Sequence, residues 1–264
     1  MCSALPALLL SAVAQAGLQF HWQDAFTVQE QAKLRAWIEE THAALQDLVG
    51  PMPFDVHVFM HRRDGASEPV PWANTQRSRS QGVHFHVDPR YPLASFRRDW
   101  TAAHELSHLV LPYLGTRHAW FSEGFASYLQ YQVMHAQGVL SAQSVARRYR
   151  RNLERAARSY PYPSQPFARA APRLRAEGKY PTMYWGGAVY FLQVNEVLQH
   201  RSGLDLRGVL RDYVACCHER RSSLPALVAE LDRVAGSDAF SRELRKFEAT
   251  PGFPRYGHLE LRPR

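Results

Sequence analysis

Lysine is nearly missing from this chain: of 264 residues only Lys33, Lys179 and Lys246 carry an ammonium group. The net charge of +8 is therefore almost all arginine. A basic balance can mean contact with nucleic acid or a membrane surface. Here the arginines are scattered along the chain. The densest run, Arg147-Arg148-Tyr149-Arg150-Arg151, shares a helix-like stretch with Glu154 and Arg155, and reads as a solvated helix face. No nucleic-acid partner is expected. Cysteine is also scarce. Cys2, Cys216 and Cys217 cannot build a disulfide framework, and C-x-x-C metal spacing is absent. Adjacent cysteines rarely bridge each other, so Cys216 and Cys217 read as ordinary helix residues, at least one of them buried. Beyond the N-terminus no run is long and apolar enough to span a bilayer. There is no internal repeat and no collagen-like, coiled-coil or disordered composition.

The hydrophobic share of 45% and charged share of 21% are those of a globular protein with a sizeable core. Residues 1–16 are apolar and small, and Ala12-Val13-Ala14 and Ala14-Gln15-Ala16 both fit an A-x-A cleavage site. The positively charged start of a signal peptide is missing. Two readings follow: a signal peptide with a misassigned start, or a short apolar helix packed on the body. The first implies a periplasmic or secreted protein, the second a cytoplasmic one. Residues 17–264 read as a single domain: 17–135 hold the strands and the chemistry-bearing helices, and 136–264 are helical.

Apolar residues recur at helical spacing from Thr27 to Leu48, and Gly50-Pro51 stops that helix. Phe54 to Met60 and Gly82 to Val87 alternate with period two and predict strands. The polar stretch from His61 to Ser80, with Gly65, Pro69 and Pro71, reads as a loop or irregular hairpin. His84 and His86 share one face of their strand, with His57 nearby. They read as solvent-facing or hydrogen-bonded parts of the sheet before they read as metal ligands. One helix is predicted from a Ser95 cap to Leu111, ended by Pro112. Another starts near Phe121, and a third runs from a Ser141 cap to about Ser159. Tyr160 to Pro166 is a proline-spaced connector, with a helix or loop from Phe167 to Glu177. A strongly apolar helix covers Tyr184 to Leu198. Asp205 to Ala215, Ser223 to Ala235 and Ser237 to Phe247 are further helices. Strands come early and helices dominate afterwards, which makes the fold class α+β.

The chemistry lies in His104-Glu105-Leu106-Ser107-His108, an H-E-x-x-H motif. Residues four apart share a helix face, so both imidazoles can reach one ion. Glu123, separated from His108 by fourteen residues that leave room for a helix end, a turn and a new helix start, is the expected third ligand. Two imidazoles and a carboxylate leave a tetrahedral zinc ion with one open position, and one Zn2+ per chain is expected. Glu105, one position round from His104, would take a proton from the attacking water and pass it to the leaving amine.

His104 to His108, followed by Trp120-Phe121-Ser122-Glu123-Gly124-Phe125-Ala126-Ser127-Tyr128, resembles the gluzincin metallopeptidases of the peptidase MA-like superfamily. Within them it is most similar to the glycyl aminopeptidase and alanyl aminopeptidase families. Those families carry a downstream Y-x-K-G-A at the start of a buried helix. Tyr184-Trp185-Gly186-Gly187-Ala188 matches it, with Gly186 where lysine is usual. The resemblance covers roughly Asp99 to Phe253. It implies a thermolysin-like fold, with a small mixed sheet packed on the H-E-x-x-H helix, a helical half, and a cleft between them. It also implies that Tyr184 stabilises the oxyanion, with Tyr180 in reserve. The chain departs from the alanyl family in lacking the G-x-M-E-N strand that recognises a free N-terminus. Gly82 to His86 has the position of the substrate-lining edge strand but no acidic residue. Both an aminopeptidase and an endopeptidase fit. The spacing to Glu123 is shorter than in the alanyl family, and the stretch reads as a minimal catalytic unit without that family's large β-domain or a PDZ module.

A zinc-dependent metallopeptidase acting on peptide or protein substrates is thus the leading expectation. The alternative is a non-catalytic zinc-binding protein on the same frame. Glu105 argues for the first, since a structural site needs only its ligands. A third class, an arginine-rich surface binder of acidic polymers, requires one clustered basic face. The oligomeric state has no signature in the sequence.

Overall fold

The computed structural model describes residues 17–263; the expected signal segment and Cys2 lie outside them. The chain opens with β1 (Leu18–Trp22), α1 (Val28–Val49), β2 (Val56–Arg62), β3 (Trp72–Arg77) and β4 (Gln81–Val87). Helices then take over: α2 (Leu93–Arg98), α3 (Thr101–Ser107), α4 (Ala119–Ala136), α5 (Ala142–Arg158) and α6 (Phe167–Ala176). The rest is α7 (Tyr180–Ser202), α8 (Leu206–Cys217), α9 (Leu224–Ala235) and α10 (Ala239–Ala249). The α+β expectation holds. None of the described helices is long and apolar enough to cross a membrane.

The sheet order is β1-β2-β4-β3. β1, β2 and β4 run parallel, and β3 pairs antiparallel with β4 through Thr75↔Val83 and Trp72↔His86. Helix α1 forms the crossover from β1 to β2. Its start is fixed by a capping box: the Thr27 hydroxyl accepts from the Glu30 N–H, and the Thr27 N–H donates to the Glu30 carboxylate. Val56, Val58, Met60, Val83, Phe85 and Val87 form the buried inner face. Trp37 of α1 meets Phe85 edge-on at 5.2 Å.

Three expectations need correction here. The polar stretch His61–Ser80 contains a strand, β3, whose backbone pairs antiparallel with β4 although its side chains show no apolar alternation. β4 therefore lies inside the sheet, and β3 is the edge strand. The single helix expected from Ser95 to Leu111 is two helices. Pro92, not Ser95, stands at the first N-cap. Asp99 is extended (ψ 135°), and its carboxylate accepts from the Thr101 N–H at 2.8 Å, restarting the helix. Cys216 and Cys217 end α8 but are bonded to each other, and neither is buried.

In the helical half, α4 and α7 cross with backbones in near contact. A methyl group on Gly187 would sit 2.0 Å from the Trp120 carbonyl oxygen, and one on Gly124 would sit 2.3 Å from the Gly187 carbonyl carbon. Only glycines allow this approach. It brings the first two turns of α7 against the start of α4, beside the C-terminal end of α3.

Candidate metal centre

Helix α3 carries His104 and Glu105 in its last turn, and a 3-10 turn at His108–Val110 continues it. His108 therefore keeps the four-residue offset from His104 although the regular helix has ended. The rings stand edge-on to each other at 4.9 Å. Glu123 enters from the first turns of α4. One of its oxygens, Oε2, lies 3.2 Å from His104 Nε2 and 3.5 Å from His108 Nε2. The sequence-predicted ligand set is thus brought together, with its ligand atoms all within 4.8 Å of one another.

These distances can be tested against the ion expected there. Tetrahedral zinc with bonds of about 2.0–2.1 Å separates its ligand atoms by about 3.3 Å. The observed 3.2 and 3.5 Å fit. The hydrogen bonding fits as well. His104 Nδ1 is 2.8 Å from Gln130 Oε1, an acceptor, so Nδ1 carries the hydrogen. In the neutral ring Nε2 then presents a lone pair to the Glu123 carboxylate. Two acceptors face to face need a cation between them, either a proton or a metal ion. Burial pushes the His104 pKa down, but the Glu123 and Glu105 carboxylates more than offset it, and the net direction is up. Burial pushes Glu123 up, and the His108 and His104 rings reverse this to hold it well below the usual carboxylate range.

Glu105 is not among the converging ligands. Its carboxylate turns toward the sheet edge, where the Thr75 hydroxyl of β3 donates to Oε2 at 2.8 Å. Arg77, two residues further along β3, donates to the Leu111 carbonyl at 3.0 Å. Burial lowers the Arg77 pKa to about 10, the charges of Glu105 and Tyr213 opposing. Tyr184 sits in the second turn of α7, since the helix starts at Tyr180 rather than at Tyr184. Its ring stacks 5.9 Å from that of His104. Burial, with the negative charges of Glu123 and Glu105, pushes the phenol far above its ordinary pKa and keeps its proton on. Tyr180 lies 6.3 Å from Tyr184 and is exposed.

Sequence reasoning did not find Thr75 or Gln130. Thr75 lay in a stretch without strand periodicity. Gln130 had a signal: it stands two helical turns after Glu123, on the same face of α4. The histidines of the sheet do not join this site. His21, His57, His61, His84 and His86 occupy the outer face of the sheet as a hydrogen-bonded and stacked row. His21 Nε2 lies 2.8 Å from His57 Nδ1, and His61 Nε2 lies 2.9 Å from His84 Nδ1.

No protein-family profile matches the sequence, and no curated protein matches it. Solved structures do. The yeast LTA4 hydrolase in complex with bestatin superposes with a TM-score of 0.61 at 15% identity, over 92% of this chain and 40% of that one. A two-domain M1 zinc metallopeptidase mutant bound to L-tryptophan gives 0.52 at 19% identity, over 90% of this chain and 50% of that one. The M1 zinc metallopeptidase from Deinococcus radiodurans gives 0.51 at 19% identity, with the same coverage. The chain has the fold of these zinc metallopeptidases over the matched part and spans half or less of their length.

Proposed function

We propose that the protein is a zinc-dependent peptidase, with His104, His108 and Glu123 holding the ion. The observation that carries this reading is one carboxylate oxygen of Glu123 facing two imidazole nitrogens at tetrahedral ligand spacing. A bound zinc ion supplies Lewis acidity, which polarises a peptide carbonyl and makes a water easier to deprotonate. The other parts belong to the chain. Glu105 is oriented by the Thr75 hydroxyl. It accepts the proton of the attacking water and returns it to the departing amine. Tyr184 keeps its proton and donates its O–H to the developing oxyanion. Gln130 fixes the His104 tautomer, so that Nε2 is the nitrogen offered to the ion. β3, the edge strand among the described residues, runs beside Glu105, where an extended peptide can pair with it.

Digestion of a peptide library, read by mass spectrometry with and without a chelator, tests activity, metal dependence and cleavage position together. In the Glu105→Gln variant we expect zinc to stay near one ion per chain while cleavage is abolished. Persisting cleavage in that variant would rule out the mechanism.

A further inference from the structure

Beside the candidate metal centre lies a cavity of about 460 Å3 between α4, α5 and the start of α7. That is within the range of about 300–1,000 Å3 typical of small-ligand pockets. Three of its lining residues touch the ring of His104. Gln130 is bonded to Nδ1, Trp100 stands edge-on at 5.1 Å, and Tyr184 stacks at 5.9 Å. The cavity therefore adjoins His104 on the side of its Nδ1, with Tyr184 shared between the two.

Its walls have a definite chemistry. Tyr131 stacks on Trp185 with ring centroids 5.6 Å apart, and Asn152 Nδ2 donates to the Tyr131 hydroxyl at 3.0 Å, which fixes the aromatic wall. No carboxylate lines the cavity among the described residues, whereas Arg155 and Lys179 do. Lys179 is already paired, its Nζ 2.7 Å from the Glu177 carboxylate outside the cavity. Arg155 has no ion pair among the described residues. An unpaired guanidinium lining the same cavity as an aromatic wall, with no acid present, favours a planar anion that it can grip with two N–H groups.

We infer that this cavity selects substrates bearing a carboxylate, and that Arg155 is the residue that reads it. The inference takes from the peptidase reading only that the carrier is a peptide. The carboxylate has two possible sources, the side chain of Glu or Asp and the free C-terminus of a short peptide. Arg155 is exposed and is not one of the candidate ligands, so its role is selection rather than chemistry.

The test is calorimetric binding to the zinc-loaded Glu105→Gln protein, which reads selection without turnover. C-terminally amidated peptides with Glu or Gln at each position probe the side chain. A second pair, with free or amidated C-termini, probes the terminus. We expect one carboxylate member to bind about tenfold tighter than its neutral partner, the scale of a charge-assisted pair. Adding Arg155→Gln should remove that preference and leave the neutral peptides within about twofold, and Arg155→Lys should keep part of it. Equal affinities within both pairs, or a loss in Arg155→Gln shared by neutral peptides, would overturn the inference, as would failure of every peptide to bind. Cleavage by the wild type is scored separately. Carboxylate-selective binding without any cleavage would sink the peptidase reading alone, and cleavage with no selectivity would sink this inference alone.

Discussion

His104 has its two ring nitrogens committed in opposite directions, Nδ1 to Gln130 and Nε2 to Glu123. Both partners sit on α4, two turns apart, so one helix supplies a candidate ligand and the group that orients another. Removing the Gln130 carbonyl leaves Nδ1–H buried without an acceptor and frees the ring to change tautomer. Gln130→Leu should weaken zinc affinity by about 10- to 100-fold while the fold persists. Competition with a chromophoric chelator measures the affinity, and circular dichroism checks the fold; unchanged affinity would leave Gln130 a packing residue. Tyr184 carries a different expectation. The Tyr184→Phe change keeps the ring beside His104 and removes only the O–H. The expected result is a kcat lower by about 10²-fold or more with KM little changed, the pattern of a donor that acts in the transition state. An unaltered kcat would take Tyr184 out of the mechanism. The ligand set and Glu105 were readable in the sequence because a helix turns four-residue spacing into one direction in space. The Thr75 hydroxyl on Glu105 was not readable, because a contact across 30 residues follows from sheet order.

At the level of elements, the site depends on how closely α7 approaches α4. Gly124 and Gly187 remove the side chains that would separate the two helices, and the backbones meet where Tyr184 must reach His104. The sequence showed Gly186-Gly187 as part of a motif but not the reason for it. The structure supplies two separate reasons. Gly187 meets the Trp120 backbone, while a methyl group on Gly186 would strike the Phe167 ring at 2.2 Å. A backbone cannot rotate aside as a side chain can, so Gly187→Ala must push the helices apart. We expect a loss of about 1–3 kcal/mol in urea unfolding, as for other overpacked cores, with reduced activity. A variant as stable as the parent would mean that the crossing is looser than these distances require. Among the elements, the long amphipathic and apolar helices were legible because their periodicity and caps are local. Thr27, Ser141, Asp205 and Ser223 each cap the helix expected after them. The break at Asp99 was missed because the apolar spacing runs on through it. Strand β3 was missed because one of its faces is polar and the other rests on a single helix.

Across the whole molecule, the sheet separates two environments: the candidate metal centre lies on the side of its inner face, and a row of imidazoles covers the outer one. Three of its members, His61, His84 and His86, are held toward the neutral form. Burial lowers the pKa of His61 and of His84, and takes His86 down to about 4, with His61, Arg63 and His84 adding repulsion and Asp24 opposing it. The hydrogen bonds agree. His84 Nε2 donates to Gln76 Oε1, so His84 Nδ1 must accept from His61 Nε2, an arrangement that requires a neutral His84 ring. The unfolded chain takes up protons on these histidines near pH 6.5, whereas the folded chain resists until a lower pH. Their contribution to stability is thus complete above pH 6.5 and declines as pH falls from 6.5 toward about 4, the value for His86. Between pH 7 and 5 ordinary carboxylates are still ionised, so the histidines dominate the slope there. Tm should fall over that interval in the parent, by about 2–4 °C for each kcal/mol lost. His86→Asn, compared with the parent at each pH, should fall less steeply, and the comparison cancels changes at the metal centre that both proteins share. Parallel Tm curves for the two proteins would show that the outer imidazoles titrate freely and are no part of the fold's response to acid.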